Sequence, residues 1–177
     1  MQGDIQVNSA CFFVKRIILP IMSTPIIMST PVGNVAITVQ AGRLCGIDFL
    51  SETPAGETVP EDPLERQVVA QLAAYFRDGR IRFCLPLSLR GTDFQNRVWR
   101  LLGQIEPGQV RSYGAIARQL HSSPRAVGNA CRQNPMSIVV PCHRVVSARG
   151  IGGYGGEVQG SKLQVKRWLL CHEGVSL

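Results

Sequence analysis

Toward the end of the chain Pro141, Cys142, His143 and Arg144 stand in succession, inside the otherwise apolar run from Ser137 to Val146. A thiol beside an imidazole and a guanidinium sits where its pKa can fall below the unperturbed value of about 8.5. That is the composition of an activated nucleophile. Proline interrupts strand pairing, so the run does not read as one continuous strand. Adjacent residues of an extended strand point to opposite faces, so a partnership between Cys142 and His143 calls for a turn or a bridging water. The plainer alternative is a buried structural cysteine next to a surface histidine. The flanking Pro141 and Arg144 argue against it.

The six cysteines, at positions 11, 45, 84, 131, 142 and 171, contain no CxxC pair and no tight framework spacing. A disulfide-stapled secreted scaffold is therefore not expected, and reduced cytoplasmic thiols are. With three histidines and no close Cys or His pair, no metal site is expected, and the chemistry calls for no cofactor. The cysteines other than Cys142 read as structural, and none is expected near enough to displace a group carried on Cys142.

At 177 residues, with 45% hydrophobic and 18% charged residues, the chain fits one globular domain or two small ones. Its charge is unevenly placed. Residues 1–89 carry 7 Lys/Arg against 8 Asp/Glu, a net −1, whereas residues 90–177 carry 12 against 4, a net +8. A basic half joined to a neutral one is the footprint of a polyanion-binding module, nucleic acid first. The apolar stretch Ile17–Met22 is broken by Pro20 and followed by Pro25 and no cleavage site, so it reads neither as a signal peptide nor as a membrane span. With the repeats Met22-Ser-Thr-Pro25 and Met28-Ser-Thr-Pro31, residues 1–27 are expected to form an extension outside the fold.

The positioning elements follow from periodicity. Val35–Val39 and Leu44–Phe49 read as a hairpin around Gln40-Ala41-Gly42-Arg43. Ser51–Pro63 reads as a surface loop. Leu64, Val68, Leu72 and Tyr75/Phe76 keep a helical period that Gly79 ends, and Phe83–Leu89 is a third strand candidate. The subdomain boundary is placed at Arg90-Gly91-Thr92, giving residues 28–91 and 92–177. In the second half, Phe94, Val98, Leu101, Leu102 and Ile105 share one helical face after a Thr92 or Asp93 cap, with Pro107-Gly108 as the stop. Ser112 caps a helix carrying Tyr113, Ile116, Ala117 and Leu120. After a short break, Pro124 opens another helix whose apolar stripe is Val127, Ala130 and Cys131. Its opposite face carries Arg125, Gly128, Asn129 and Arg132 at i, i+3, i+4 and i+7. Two short helices with such a face match a helix-turn-helix, the charges suiting phosphates and Gly128 a close backbone approach. An ordinary helical hairpin with a solvated face is the bland alternative.

Pro141-Cys142-His143-Arg144-Val145 resembles the acceptor motif of the O6-alkylguanine-DNA alkyltransferases. Phe94-Gln-x-x-Val98-Trp99, Pro107-x-Gly-x-Val110 through Tyr113, Arg125-Ala-Val-Gly128, Asn134-Pro135, Gly153-Tyr154-Gly155-Gly156 and Trp168-Leu-Leu-x-His172-Glu173-Gly174 resemble that family in order. The first half, with Thr30-Pro31-Val-Gly33 and the hairpin, resembles it more loosely. The resemblance implies an α+β protein, a small RNase-H-like α/β roll followed by a mostly helical, winged-helix-like DNA-binding subdomain. It implies irreversible, single-turnover transfer of an alkyl group from O6-alkylguanine, and from O4-alkylthymine, in double-stranded DNA approached from the minor groove, by a monomer. Cys142 would be the acceptor, His143 its base through a water, and Glu173 the carboxylate that orients His143. Asn134 would brace the turn, and Tyr113 would protonate the departing guanine and help rotate its phosphate. Arg125 would fill the gap left by the flipped nucleotide, with Gly128, Asn129, Arg132 and Ser112 on the DNA-facing surface. Tyr154, Gly155, Gly156 and Val145 would line the base pocket.

The segment Glu157–Val165 is about half a dozen residues longer than the family's compact loop, which bears on the range of alkyl groups accepted. Two other readings compete. A non-enzymatic helix-turn-helix DNA binder would leave Cys142 incidental, but relatives that bind without repairing lack the acceptor cysteine. A Cys-His-Glu hydrolase would explain the triad and not the basic half.

Overall fold

The computed structural model describes residues 24–51 and 58–176. Three strands, β1 (Ile26–Met28), β2 (Val35–Gln40) and β3 (Arg43–Phe49), form an antiparallel meander in that order. Val35, Ile37 and Val39 alternate onto the buried face, as a half-buried strand requires. Ala41 and Gly42 both take positive φ, 48° and 68°, the geometry that lets a two-residue loop follow the strand twist. Helix α1 (Pro63–Arg77) opens on a capping box between Asp62 and Glu65 and buries Val68, Leu72 and Tyr75. The start of the fold falls earlier than the predicted boundary at residue 27. Ile26 and Ile27 pair with Ile37 and Ala36, and Ile26 is buried. The rest of the predicted extension, residues 1–23, lies outside the described residues, as does part of the predicted Ser51–Pro63 loop, residues 52–57.

Phe83–Leu89 is extended but is not a third strand of the hairpin sheet. It touches β3 at one isolated bridge, Leu44 with Leu87, where Leu44 N–H donates to Pro86 C=O and Ser88 N–H to Leu44 C=O, both at 2.9 Å. Pro86 has no N–H to extend a ladder.

The second half is helical. Helix α2 (Asp93–Leu102) is capped by Thr92 and Gln95 and stops at Gly103, ahead of the predicted Pro107-Gly108 stop, so Ile105 is buried in the turn beyond it. Strand β4 (Arg111–Ser112) leads into α3 (Tyr113–Gln119), and α4 (Pro124–Arg132) follows behind the Ser123 cap. A 3-10 turn (Cys142–Arg144), strand β5 (Val145–Val146) parallel to β4, and α5 (Ser161–His172) complete the chain. Trp99 N–H donates to Ala130 C=O at 2.9 Å, fixing α2 against α4.

Two seams join the halves. Ile47 N–H of β3 donates to Pro135 C=O at 2.8 Å, and Ser137 N–H donates to Ile47 C=O at 3.3 Å. Between α1 and α5, Trp168 stacks on His172 with centroids 4.7 Å apart, Phe76 packs on Trp168, and His172 Nε2 donates to Tyr75 C=O at 2.6 Å. The predicted helix-ending role of Gly79 is a packing role here. A Cβ at that position would lie 2.5 Å from the His172 carbonyl oxygen, whereas α1 itself ends one residue before Asp78. No helix among the described residues is long and apolar enough to cross a membrane.

Candidate active site and nucleic-acid interface

Two tight turns present the cysteine. Val139 N–H donates to Ser137 C=O at 2.9 Å around Ile138, whose φ is +73°, a rare conformation for a β-branched residue. Cys142 N–H then donates to Val140 C=O at 2.8 Å around Pro141, at φ −81° and ψ 68°. Asn134 holds this crank in shape. Its side-chain N–H₂ donates to Val140 C=O at 2.8 Å and to Cys142 Sγ at 3.2 Å, while its Oδ1 accepts from Met136 N–H at 3.0 Å. The 3-10 turn that follows supplies the break in extended geometry that the Cys142–His143 pair requires.

His143 is fully buried, and its Nε2 lies 2.8 Å from Glu173 Oε1. A carboxylate can only accept, so the proton sits on Nε2 and Nδ1 is left as a base. Nδ1 has no hydrogen-bond partner among the described residues. Glu173, just beyond α5, also accepts from Arg144 Nε at 2.8 Å, Arg144 Nη2 at 2.9 Å and Tyr75 O–H at 2.8 Å. Burial alone would raise the Glu173 carboxyl, but the hydrogen bonds from His143 and Arg144 outweigh it and hold it down at about 2. Burial likewise lowers His143 below its ordinary value despite Glu173, so the imidazole is neutral.

The predicted guanidinium beside the thiol is absent. Arg144 turns away to Glu173 and to the Ile105 carbonyl, because a buried cation needs a buried anion. Burial pushes the Cys142 thiol up rather than down, opposed by the Asn134 hydrogen bond and the Lys166 charge. The resting sulfur is therefore a thiol that must pass its proton to a base.

Cys142 opens onto a cavity of about 160 Å³ walled by Tyr113, Gly128, Arg132, Gly153–Val158 and Cys131. Tyr154, Gly155 and Gly156 line it as predicted; Val145 does not. Its side chain is fully buried in β5, and its carbonyl accepts from Lys166 Nζ. Tyr113 O–H donates to Gly153 C=O at 3.1 Å, and burial raises its pKa, with the thiols of Cys131 and Cys142 adding to the effect. Gly155 and Gly156, at φ +55° and +89°, make the turn that closes Tyr154 onto Glu157 by paired backbone hydrogen bonds of 2.8 and 2.9 Å. The long loop thus borders the cavity through Glu157 and Val158. Cys131 contradicts the expectation that no other cysteine is near, because α4's last turn brings it onto the same wall.

On α4, Arg125, Asn129 and Arg132 are exposed and Gly128 is half-buried at the cavity edge, so the predicted face and the thiol share one mouth. Ser112 is half-buried, with its hydroxyl accepting from Ala115 N–H as the α3 cap. Sequence reasoning missed Tyr75 and Lys166. Both are polar-tipped residues in phase with apolar stripes, Tyr75 with Val68 and Leu72, Lys166 with Leu169 and Leu170. Lys166 is fully buried, donating to Val145 C=O and, at 3.0 Å, to Gly153 C=O; burial lowers it to about 8. No group of three or more metal-ligating side chains occurs among the described residues.

Residues 26–89 match the model of the 6-O-methylguanine DNA methyltransferase ribonuclease-like domain, and residues 93–175 match that of its DNA binding domain. The methylated-DNA–protein-cysteine methyltransferase of Mycobacterium leprae is 40% identical over 135 residues, 73% of this chain and 82% of that one. The constitutive enzyme of that name from Bacillus subtilis is 38% identical over 158 residues, 83% and 93% of the two chains. Among solved structures, Mycobacterium tuberculosis OGT in complex with DNA superposes with a TM-score of 0.71 at 39% identity, covering 83% of this chain and 90% of that one. An O6-methylguanine DNA methyltransferase from Methanococcus jannaschii gives 0.61 at 29% identity, covering 85% and 94%.

Proposed function

The chain belongs to the 6-O-methylguanine DNA methyltransferase family, and on that premise we propose that Cys142 is the atom-accepting residue of its direct repair reaction. The observation that carries the reading is a cavity-wall thiol held by Asn134, followed at once in the chain by a neutral His143 that Glu173 fixes through Nε2, which leaves Nδ1 free to act as the base. The thiol proton passes through one water to His143 Nδ1, and Glu173 stabilises the imidazolium that results. Sγ attacks the alkyl carbon as the carbon–oxygen bond breaks. Tyr113, kept protonated by burial, passes its proton to the departing guanine, and the His143 imidazolium gives up the thiol proton through solvent to restore the phenol. In sum, sulfur gains the alkyl group and guanine the thiol proton. The thioether is neutral and has no hydrolytic exit, so each molecule reacts once; Cys131 does not change this, since an unactivated thioether is not displaced by a thiol.

The target carbon is stacked inside duplex DNA, so the base must be extruded into the cavity, at a cost of a few kcal/mol. Arg125, Asn129 and Arg132 on α4 form the surface we assign to DNA, entered from the minor groove with Arg125 in the vacated stack. We assign the reaction to the cytoplasm, the compartment that suits a chain whose cysteines have no disulfide-framework spacing. The test is incubation with duplex carrying label on the O6-alkyl group. Label is expected to appear covalently on the protein, and Cys142→Ala is expected to abolish uptake while retaining DNA binding. Label released to solvent would mean hydrolysis, and neither outcome would mean binding alone.

A further inference from the structure

The reaction uses one thiol, yet two line the chamber. Cys131 and Cys142 stand together on the wall of the base-sized cavity, and together again on the wall of a second cavity behind it, bordered by Asp48, Phe49 and Asn134. They therefore form part of the partition between the two spaces. The backbone binds them to a common hinge. Asn134 N–H donates to Cys131 C=O at 3.3 Å, and the Asn134 side chain donates to Cys142 Sγ at 3.2 Å. Neither sulfur is in a disulfide, and both residues are less than a tenth exposed. A charge on Cys142 opposes ionisation of Cys131, and the Lys166 ammonium favours the ionised form of both.

We propose that Cys131 and Cys142 form a dithiol site for monosubstituted trivalent arsenicals, whose organic group occupies the space meant for the flipped base. An arsenic centre bridges sulfurs that lie farther apart than a disulfide allows, and two thiols in one site hold it where a lone thiol loses it to competing monothiols. The step is an exchange without redox change. Two S–H bonds and the arsenic–oxygen bond break, two As–S bonds form, and both thiol protons leave with the oxygen as water. The remaining walls suit a flat aryl group, since they include the Tyr113 ring and the side-chain-free Gly155-Gly156 turn. Binding at the site does not depend on the alkyl-transfer reading; its effect on repair rests on Cys142 being the acceptor.

The probe is phenylarsine oxide added to the full-length protein. Expected are one phenylarsenic per molecule with loss of two thiols and one water by intact mass, protection of Cys131 and Cys142 from maleimide by peptide mapping, and release by a dithiol but not by excess monothiol. Alkyl transfer is lost on binding and restored on release. Cys131→Ser is expected to weaken retention against monothiol at least tenfold. Protection that maps to Cys11, Cys45, Cys84 or Cys171, retention unchanged in Cys131→Ser, or no dithiol-specific adduct would overturn the proposal. Mapping on the unmodified protein decides the matter even where the variant folds poorly. An untreated protein that takes up no alkyl label while still binding the probe at both thiols would overturn the transfer reading and leave the arsenical site standing.

Discussion

Four hydrogen bonds from three side chains converge on the Glu173 carboxylate, so this residue does more than orient His143. Replacing it with glutamine leaves the Arg144 guanidinium buried without its counter-charge, an arrangement that costs about 3–5 kcal/mol. Glu173→Gln is therefore expected to lower the thermal midpoint sharply as well as slow transfer, which calorimetry and a single-turnover rate will separate. The pH dependence has a definite sign. His143 and Glu173 both bind protons less readily in the folded chain than in the unfolded one, so stability rises with pH across their windows. Urea midpoints are expected to begin falling as pH drops below about 6.5, where unfolded histidine protonates. A second fall is expected between about 4.5 and 2 as Glu173 protonates. Midpoints flat from pH 7 to 3 would contradict the network. The residue types of this site were legible as a nucleophile motif, but the direction of Arg144 was not. Adjacency in sequence placed its charge beside the thiol, whereas the 3-10 turn sends it to an anion 29 positions away.

At the scale of elements, caps and stripes carried most of the information. Thr92, Ser112 and Ser123 each accept the backbone hydrogen bond that a helix start requires, and the apolar phase of α4 fixes which face is left exposed. Strands β4 and β5 have two residues each, too few to show a period, and the positive φ of Ile138 runs against the preference of its residue type. Neither was visible in the sequence. Arg125 lies in the first turn of α4, exposed, on the helix face that carries Gly128 and Arg132 to the cavity. If it offsets unstacking, its work exists only in paired DNA. Arg125→Ala is expected to slow transfer from duplex by tenfold or more, about 1.4 kcal/mol or above, and to leave reaction with free O6-benzylguanine nearly unchanged. Equal losses on both substrates would mark Arg125 as structural, and a uniform fall in DNA affinity with a flatter salt slope would mark a phosphate contact.

Over the whole molecule, the basic and neutral halves foreseen from charge correspond to the two matched domains, while the seams between them left no mark in the sequence because they are built from long-range pairs. The edge strand β1 shows where the first half begins in practice. A protein beginning at Met28 loses the buried Ile26, worth about 1.5–3 kcal/mol, together with the pairing of Ile26 and Ile27 to β2. One beginning at Met22 keeps them. The shorter version is expected to melt earlier and the longer to match the full chain; equal midpoints would mean that β1 contributes nothing.

The Tyr75 hydroxyl reaches from α1 in the first half to the carboxylate that governs chemistry in the second. The two halves thus share one hydrogen-bond network. A hybrid that joins this second half to a relative's first half is expected to keep its reactivity only where the donor brings a phenol to the position of Tyr75. A donor bringing phenylalanine there removes one of three hydrogen bonds to Glu173 Oε1, leaving those from His143 and Arg144, and is expected to lower both stability and rate.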